Sequence, residues 1–124
     1  MTKATYVDGF VLTVPKAKRA AYKKLATEAQ AVWKRFGALD YKECVIEDVK
    51  PQWIVNTFPK MAKARPGEEV WFSYIAFKSK AHRKEVNKKV MAYFDKKYTE
   101  KQQKHDMPFD MKRMSYAGFT VVVG

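Results

Sequence analysis

The chain has 124 residues, of which 47% are hydrophobic and 15% aromatic, so it can build one domain with a real core and is not a disordered chain. Its 25 Lys and Arg residues against 13 Asp and Glu residues give a net charge of +12. That charge attracts polyanions such as nucleic acid, but it is equally typical of a lysine-rich, solvated surface. We favour the second interpretation, because net charge specifies no partner.

The sequence lacks the signals of membrane and secreted proteins. It has no run of about 18 apolar residues, which predicts no membrane span. Its first eight residues carry no apolar signal core. Cys44 is the single cysteine, which excludes an internal disulfide and a cysteine metal cluster. We therefore expect a single cytoplasmic domain over residues 1–124, with no membrane partner.

The first strand and the first helix are predicted by two different apolar periods. Residues 6–14 alternate as a strand, in which Asp8 is a carboxylate on a mostly apolar face. Gly9 beside it suggests a bulge or the close approach of another backbone. From Lys16 the apolar residues recur every three or four positions, which predicts an amphipathic helix that ends at Gly37.

The middle of the chain contains one clear strand and one ambiguous segment. Alternation over residues 38–48 predicts a second strand that ends before Pro51. Residues 53–65 fit two descriptions, an extended strand that starts at Trp53 or a short irregular turn near residues 58–64. The proline inside that segment argues against a long regular element.

The most apolar stretch, residues 69–77, predicts a third strand. One of its faces carries Phe72 and Tyr74, and the other carries Trp71 and Ser73. A strand with one solvated face alternates apolar and polar residues, whereas this strand is mostly apolar on both faces. We therefore expect both faces of its sheet to be covered.

The last third of the chain predicts a second helix and a fourth strand. Ser79 is the candidate N-cap of the helix. The helical stripe toward the core is predicted to be Val86, Val90, Met91 and Phe94. Residues 105–110 have the composition of a loop, and residues 114–123 alternate as the final strand.

The order of strand, helix, strand, strand, helix and strand predicts an α+β domain with the ferredoxin-like βαββαβ fold. Right-handed crossovers place both helices on one face of a four-stranded antiparallel sheet. The other face is then bare and apolar, beyond the few hundred Å² that soluble monomers usually expose. A two-fold homodimer that packs sheet on sheet covers it, because one patch serves both partners.

Motifs along nearly the whole chain carry a family resemblance. They are Tyr6-Val-Asp-Gly-Phe-Val11, Phe36-Gly-Ala-Leu39, Trp71-Phe-Ser-Tyr74, and Met107-Pro-Phe-Asp110 followed by Lys112-Arg-Met114. With them the chain resembles the YbaA-like family of small bacterial proteins of unknown function, with departures at Met111 and Ala117, where relatives tend to carry glycine.

This resemblance implies a dimeric α/β barrel and brings no known activity. Related barrels include cofactor-free monooxygenases that act on aromatic substrates, but that likeness is one of fold and does not fix a function. Whether the protein is an enzyme is therefore left open, and a structural or stress-related dimer without catalysis is a further hypothesis.

Asp8 is the first candidate binding residue. Burial disfavours the charged form of a carboxylate unless partners hold it ionised, and such a group can act as a base or as a ligand anchor. Its neighbours on the same face, Tyr6 and Phe10, would make an aromatic-lined site. The alternative is a structural Asp8 that is bonded to the backbone or to a Tyr, Lys or Arg side chain.

The loop over residues 107–113 is the second candidate. Phe109 can anchor it, and Asp110 has Arg113 or Lys112 as a potential ion-pair partner. One interpretation is a lid over a pocket, in which Asp110 or Arg113 touches a ligand. The other interpretation, which we favour, is a rigid loop held by a salt bridge.

A small-molecule hypothesis joins these candidates in one pocket on each protomer, between the helices and the sheet. Its predicted lining and binding residues are Tyr6, Asp8, Trp71, Ser73, Phe109, Asp110 and Arg113. The hypothesis requires that Trp71 and Ser73 face the helices, an orientation that the sequence leaves open.

No cofactor and no metal ion are expected. Cys44 would need a nearby base to act as a nucleophile, and we expect a buried, inert thiol. His82 and His105 fall in lysine-rich stretches without a partner at metal-ligand spacing. The chain also has no Gly-rich phosphate loop and no dinucleotide fingerprint.

RNA binding is the second functional hypothesis, because RNA-recognition domains share this element order. Phe72, Tyr74 and Phe77 keep the aromatic positions of their third-strand signature, but Val70 and Trp71 replace its basic residue and first glycine. Base stacking and the sheet-on-sheet dimer compete for one face, and the family resemblance favours the dimer. Lysine-rich helices that contact phosphates are the other route to nucleic acid.

Overall fold

In the computed structural model, which describes residues 2–49, 52–99, 102 and 107–124, an antiparallel sheet packs against helices. The elements are β1 (Tyr6–Pro15), a 3-10 turn (Lys16–Lys18), α1 (Arg19–Arg35), β2 (Asp40–Val45), a short helix α2 (Phe58–Met61), β3 (Glu68–Phe77), α3 (Lys80–Lys97), a second 3-10 turn (Met111–Arg113) and β4 (Ser115–Thr120). The predicted α+β class and the four-stranded antiparallel sheet are confirmed.

The sheet has the strand order β2-β3-β1-β4, and each neighbouring pair is antiparallel. The two long apolar strands, β1 and β3, are central, and Asp8 lies opposite Ile75. The β1 ladder runs without interruption through Gly9, so no bulge forms there. The close neighbour of Gly9 is a side chain and not a backbone, because a Cβ added there would lie 3.1 Å from Phe119 Cε2.

Both long helices cover the same face of the sheet, because their apolar stripes and the inward side chains of β1 and β3 form two shared core clusters. The first cluster is built on Tyr6, Val32, Ala38, Tyr41, Ile75, Phe77, Val86 and Val90. The second is built on Leu12, Val14, Tyr22, Ala26 and Trp71. The register places Trp71 and Ser73 on this helix-facing side and Phe72 and Tyr74 on the other.

The opposite side, which we call the helix-free face, has no cover within the described part of this chain. Phe72 of β3 is 45% exposed there, and Phe119 of β4 is 56% exposed. Large apolar side chains on an open sheet face are the feature that a partner would bury.

The ambiguous middle segment forms a turn and not a strand. Trp53 is 89% exposed and lies outside any strand. The short helix α2 begins after Thr57, whose side chain accepts a hydrogen bond from the Lys60 backbone N–H. Of the predicted second strand, residues 40–45 pair with β3 as β2, which is shorter than the predicted range of 38–48.

The ends of α1 and α3 follow the predicted signals. Gly37 after α1 has φ +117°, a conformation that favours glycine. The Ser79 side chain caps α3 by accepting a hydrogen bond from the His82 N–H. Val86 and Val90 are buried as predicted, whereas Met91 is 48% exposed, because one residue turns the helix about 100° from the buried position before it.

The final strand ends at Thr120, three residues before the predicted end at residue 123. Thr120 pairs with Tyr6, the first residue of β1, so the ladder has no further partner strand. Only one more backbone bond follows among the described residues, from Val121 N–H to the Thr5 carbonyl. His105 of the predicted loop lies outside the described residues.

The helices that the structure describes include none that is long and apolar enough to span a bilayer.

Candidate functional site

A hydrogen-bonded carboxylate, Glu43 of β2, lies on the helix-facing side of the sheet. The Tyr22 hydroxyl donates to Glu43 Oε1 at 2.8 Å, and the Tyr41 hydroxyl donates to Glu43 Oε2 at 2.7 Å. Ser73 lies directly opposite Glu43 in the β2–β3 register, and its hydroxyl helps to hold down the pKa of the carboxylate. Strand alternation turns Tyr41 and Glu43 to the same side, and α1 brings Tyr22 over them.

Burial raises the pKa of Glu43, although the hydroxyls of Tyr41, Tyr22 and Ser73 oppose the shift. Burial and the nearby Glu43 charge in turn raise the pKa of Tyr22 and of Tyr41, so both phenols stay protonated donors. Within the described residues, the Glu43 carboxylate forms no ion pair with a Lys, Arg or His side chain. Neutral hydroxyls alone therefore stabilise its charge.

An open groove of about 440 Å³ runs between α1 and the β2 edge of the sheet. Lys23 and Gln30 of α1, Glu43 of β2 and Trp71 of β3 are among its lining residues. Its volume lies within the range of about 300–1,000 Å³ that is typical of small-molecule sites.

Trp71, which lines this groove, carries a second unusual polar group. The residue is 6% exposed, and its indole Nε1 is buried without a hydrogen-bond acceptor among the described residues. Its ring packs edge-on against Tyr22, with 4.9 Å between the ring centres, and the Arg19 guanidinium lies 6.0 Å from the indole centre. A buried N–H without an acceptor is costly, so this group favours a ligand that supplies one.

Asp8 belongs to a different cluster on the same side of the sheet. It is 2% exposed, Arg83 Nε of α3 lies 3.5 Å from its Oδ1, and the Tyr116 hydroxyl donates to the same oxygen at 2.9 Å. Arg83 also donates to the Tyr6 hydroxyl at 3.1 Å. Asp8 thus forms an ion pair with an Arg and accepts a hydrogen bond from a Tyr, as its structural alternative describes.

The Asp8 cluster depends on a close approach at Gly118 of β4. A Cβ added there would lie 2.1 Å from the Tyr6 hydroxyl oxygen. Gly118 therefore leaves the space in which Tyr6 reaches Arg83.

The 107–113 loop is held by a salt bridge, but the acid is not the predicted one. Arg113 donates to Glu68 at 2.6 and 2.8 Å and to the Lys63 carbonyl at 2.9 Å. This pairing lowers the pKa of Glu68 to about 2. Asp110 instead accepts a hydrogen bond from the Lys112 backbone N–H at 3.0 Å.

Comparisons with known proteins identify the family. A model described as "Protein of unknown function (DUF1428)" matches residues 5–111. The chain belongs to this family. It is 43% identical over 118 residues to the uncharacterised protein YbaA of Escherichia coli K12. The aligned region covers 95% of this chain and 97% of that protein. YbaA of Shigella flexneri matches to the same extent. The predicted resemblance is confirmed, and it brings no established function.

Among solved structures, the de novo designed protein Foldit4 is similar over 96% of this chain and 98% of its own, with 13% identity and a TM-score of 0.41. That likeness is too weak to assign a fold or a function.

The seven predicted site residues fall into three places. Trp71 lines the groove, and Ser73 lies opposite Glu43 beside it. Tyr6 and Asp8 lie in the Arg83 cluster, on a strand separated from β2 by β3. The loop residues Phe109, Asp110 and Arg113 follow as the third group. Phe109 packs edge-on against Tyr22 at 5.6 Å, next to the Glu43 network, whereas Arg113 and Asp110 make the loop contacts described above.

Sequence reasoning missed Glu43, Tyr22 and Arg83 as site residues. The signal that drew attention to Asp8, a carboxylate on an otherwise apolar strand face, was equally present at Glu43, which shares its face with Tyr41 and Val45.

The expectation of a buried Cys44 was wrong. Cys44 is exposed for two reasons: β2 is an edge strand, and the Cys44 side chain lies on the helix-free face. The side chains of Tyr41, Glu43 and Val45 on the same strand face the helices instead. Within the described ranges, no three His, Cys, Asp or Glu side chains are grouped so that they could hold a metal ion.

Proposed function

We propose that this protein binds a small organic molecule in the groove between α1 and β2, with Glu43 and Trp71 as its main polar contacts. The observation that carries this proposal is that residues lining one groove include a half-buried carboxylate without a counter-ion and a tryptophan whose buried indole N–H has no acceptor. Each arrangement costs free energy in the chain alone, and a ligand that satisfies both groups recovers it.

The contrast between the two inward carboxylates supports the choice of this groove. Asp8 has a guanidinium partner, Arg83, whereas the described partners of Glu43 are hydroxyl groups. A carboxyl group whose pKa is shifted by burial within a concave site is a typical feature of binding and catalytic sites. The monooxygenase-like alternative rests on fold analogy alone and stays a prediction.

The proposal includes a ferredoxin-like domain that dimerises through the helix-free face into an α/β barrel. The strand order β2-β3-β1-β4, with both long helices on one side, supports the fold. Exposed Phe72 and Phe119 support the sheet-on-sheet contact. The groove opens on the opposite layer, so dimerisation and ligand binding use separate surfaces.

The tryptophan indole N–H signals in a ¹H–¹⁵N spectrum test the small-molecule proposal. The chain has three tryptophans. Trp33 Nε1 donates to Asn87 at 3.0 Å and Trp53 is exposed, so these two serve as internal controls. A screen of metabolites should yield compounds that shift the Trp71 signal, assigned with Trp71→Phe, and leave the other two in place.

The same screen can refute the small-molecule proposal. Glu43→Gln should change the affinity of each hit, whereas Glu47→Gln, on the exposed segment after β2, should not. If no compound shifts the Trp71 signal, or if every shift is confined to Trp53, the groove is not a binding site.

Nucleic-acid binding is the second candidate, favoured by the charge of the helical layer. Residues 16–35 and 80–97 together carry fourteen Lys and Arg against three Asp and Glu. Phe72 and Tyr74 lie on the opposite face, so phosphate contacts and base stacking would not act together. Salt-dependent RNA or DNA binding that survives Phe72→Ala and Tyr74→Ala is the result expected if the helices bind phosphates.

A further inference from the structure

The charges of the groove specify a chemical class of ligand, an inference that rests on the proposed small-molecule function. Two lining cations already have partners, since Lys42 pairs with Asp40 at 2.9 Å and Arg19 with Glu69 at 3.6 Å. Lys23, the third lining cation, is exposed and pairs with no carboxylate among the described residues.

The groove therefore presents one uncompensated charge of each sign. Glu43 supplies the negative charge, and its two carboxylate oxygens offer about four acceptor positions, of which the Tyr22 and Tyr41 hydroxyls use two. Acceptor positions therefore remain for a donor from a ligand. Lys23 supplies the positive charge, and the indole N–H of Trp71 adds a neutral donor.

We propose that the groove binds a zwitterionic metabolite of the amino-acid type, whose ammonium group pairs with Glu43 and whose carboxylate is bound by Lys23 and the Trp71 indole N–H. Charge-assisted hydrogen bonds of this kind are roughly twice as strong as neutral ones.

Ligands with a single charge match the groove less well. A simple amine compensates Glu43 but leaves Lys23 and the Trp71 N–H without an acceptor, and it must approach a protein with a net charge of +12. A simple carboxylate satisfies Lys23 and Trp71 but adds a second negative charge to the groove that already contains Glu43. The zwitterion avoids both costs, because it leaves neither charge of the groove unpaired.

Two matched sets of probes test this class. L-Phenylalanine, phenethylamine and 3-phenylpropanoate share one aromatic skeleton and differ in their charged groups, and L-norleucine, pentylamine and hexanoate do the same for an aliphatic skeleton. In at least one set the zwitterion should shift the Trp71 indole signal and bind about tenfold or more tightly than either singly charged analogue.

Three variants assign the two ends of the ligand. Glu43→Gln keeps a polar side chain but removes the charge, so it should abolish the preference for the zwitterion over the simple carboxylate. Lys23→Met should abolish the preference over the simple amine. Lys24→Met is the matched control, because Lys24 is the next exposed lysine of α1 and is not among the residues that line the groove.

The possible failures separate this inference from the proposed function. If an amine or a carboxylate binds at Trp71 as tightly as its zwitterion, or if Glu43→Gln keeps the preference, the ligand class is wrong while binding in the groove stands. The same holds if other metabolites shift the Trp71 signal and neither zwitterion does. If no compound shifts that signal, both the class and the proposed function are overturned.

Discussion

The Tyr22 hydroxyl donates a 2.8 Å hydrogen bond to Glu43 Oε1, and this bond joins the beginning of α1 to the edge strand β2. Tyr22 also packs against Trp71 and Phe109, so one side chain connects the groove, the carboxylate and the 107–113 loop. A change in the charge of Glu43 therefore affects both the packing of α1 and the polarity of the groove.

Glu43→Gln should change the pH dependence of folding stability. Because the pKa of Glu43 is raised in the folded protein, the folded state holds the Glu43 proton more tightly than the unfolded state does. Folding stability therefore falls as pH rises from about 4.5 through the folded-state pKa. The free energy of unfolding of Glu43→Gln minus that of the wild type should therefore increase between pH 4 and pH 7. Urea unfolding at several pH values measures this difference in the free energy of unfolding, with Glu47→Gln as the control. A difference that does not change with pH would show that folding does not shift the pKa of Glu43.

Glu68→Gln should show the opposite dependence. The Arg113 partner lowers the pKa of Glu68 from 4.5 to about 2, so the ion pair contributes its full stability above pH 4.5 and loses it as pH falls toward 2. Relative to the wild type, the variant should be less stable at pH 7, and the gap should close below pH 4.5. Glu85→Gln on α3, which removes an exposed pair with Lys89, is the control and should move little.

The central strands were predictable from sequence to within one residue because their apolar patterns are local signals. The structure extends the predicted 6–14 and 69–77 by a single residue each. The strand ends were less predictable. Val121 continues the alternation of β4, but it lies beyond Tyr6, the first residue of β1, and so has no partner strand. Strand length depends on the neighbouring strand, which local sequence does not contain.

The site was less predictable than the fold because it depends on long-range register. Trp71 and Ser73 could be identified as one face of a strand, but not as the face under the helices. The Glu43 network requires Tyr22 to reach a strand that lies 21 residues further along the chain. In the sequence, Tyr22 is one more apolar position of the α1 stripe, and nothing local marks its hydroxyl as a donor to a half-buried carboxylate.

Gly118→Ala should destabilise the protein by about 1–3 kcal/mol, the usual cost of overpacking. The new Cβ would lie 2.1 Å from the Tyr6 hydroxyl oxygen, which is also bonded to Arg83. Gly9→Ala on β1 is the matched control, since its Cβ would lie 3.1 Å from the ring of Phe119 on an open face. Tyr6→Phe should recover part of the loss in Gly118→Ala by removing the nearest atom. Chemical denaturation measures the free energy of unfolding of the wild type, the two glycine variants and the Tyr6→Phe, Gly118→Ala double variant. An equal loss of stability at the two glycines would contradict the close approach at Gly118.

The proposed dimer predicts different behaviour for two apolar side chains of similar exposure. Phe72 on the helix-free face is 45% exposed, and Met91 on α3 is 48% exposed. Phe72→Glu should convert the dimer to a monomer, because two-fold symmetry places two new carboxylates in one apolar seam. Met91→Glu should leave the dimer intact. Size-exclusion chromatography with light scattering measures the mass, and a wild-type monomer at micromolar concentration would refute the dimer.

Asp8→Asn should destabilise the protein by about 2–4 kcal/mol, near the range for breaking a buried ion pair. The Asp8 side chain is 3% exposed, but Arg83 keeps 22% exposure, so part of the unpaired guanidinium charge remains solvated. Asp95→Asn, at an exposed position of α3, is the control. Arg83→Met in the Asp8→Asn background should cost less than Arg83→Met alone, because the charge that it removes is already unpaired.

Ligand binding then distinguishes a structural Asp8 from a binding residue. The Asp8 cluster lies across β3 from Glu43, and Asp8 is not among the residues that line the groove. Shifts of the Trp71 indole signal by any compound that binds the wild type should therefore persist in Asp8→Asn at a concentration where the variant is folded. Loss of those shifts, with Asp95→Asn unaffected, would instead place Asp8 in the binding site, because a purely structural pair affects stability and leaves the groove contacts unchanged.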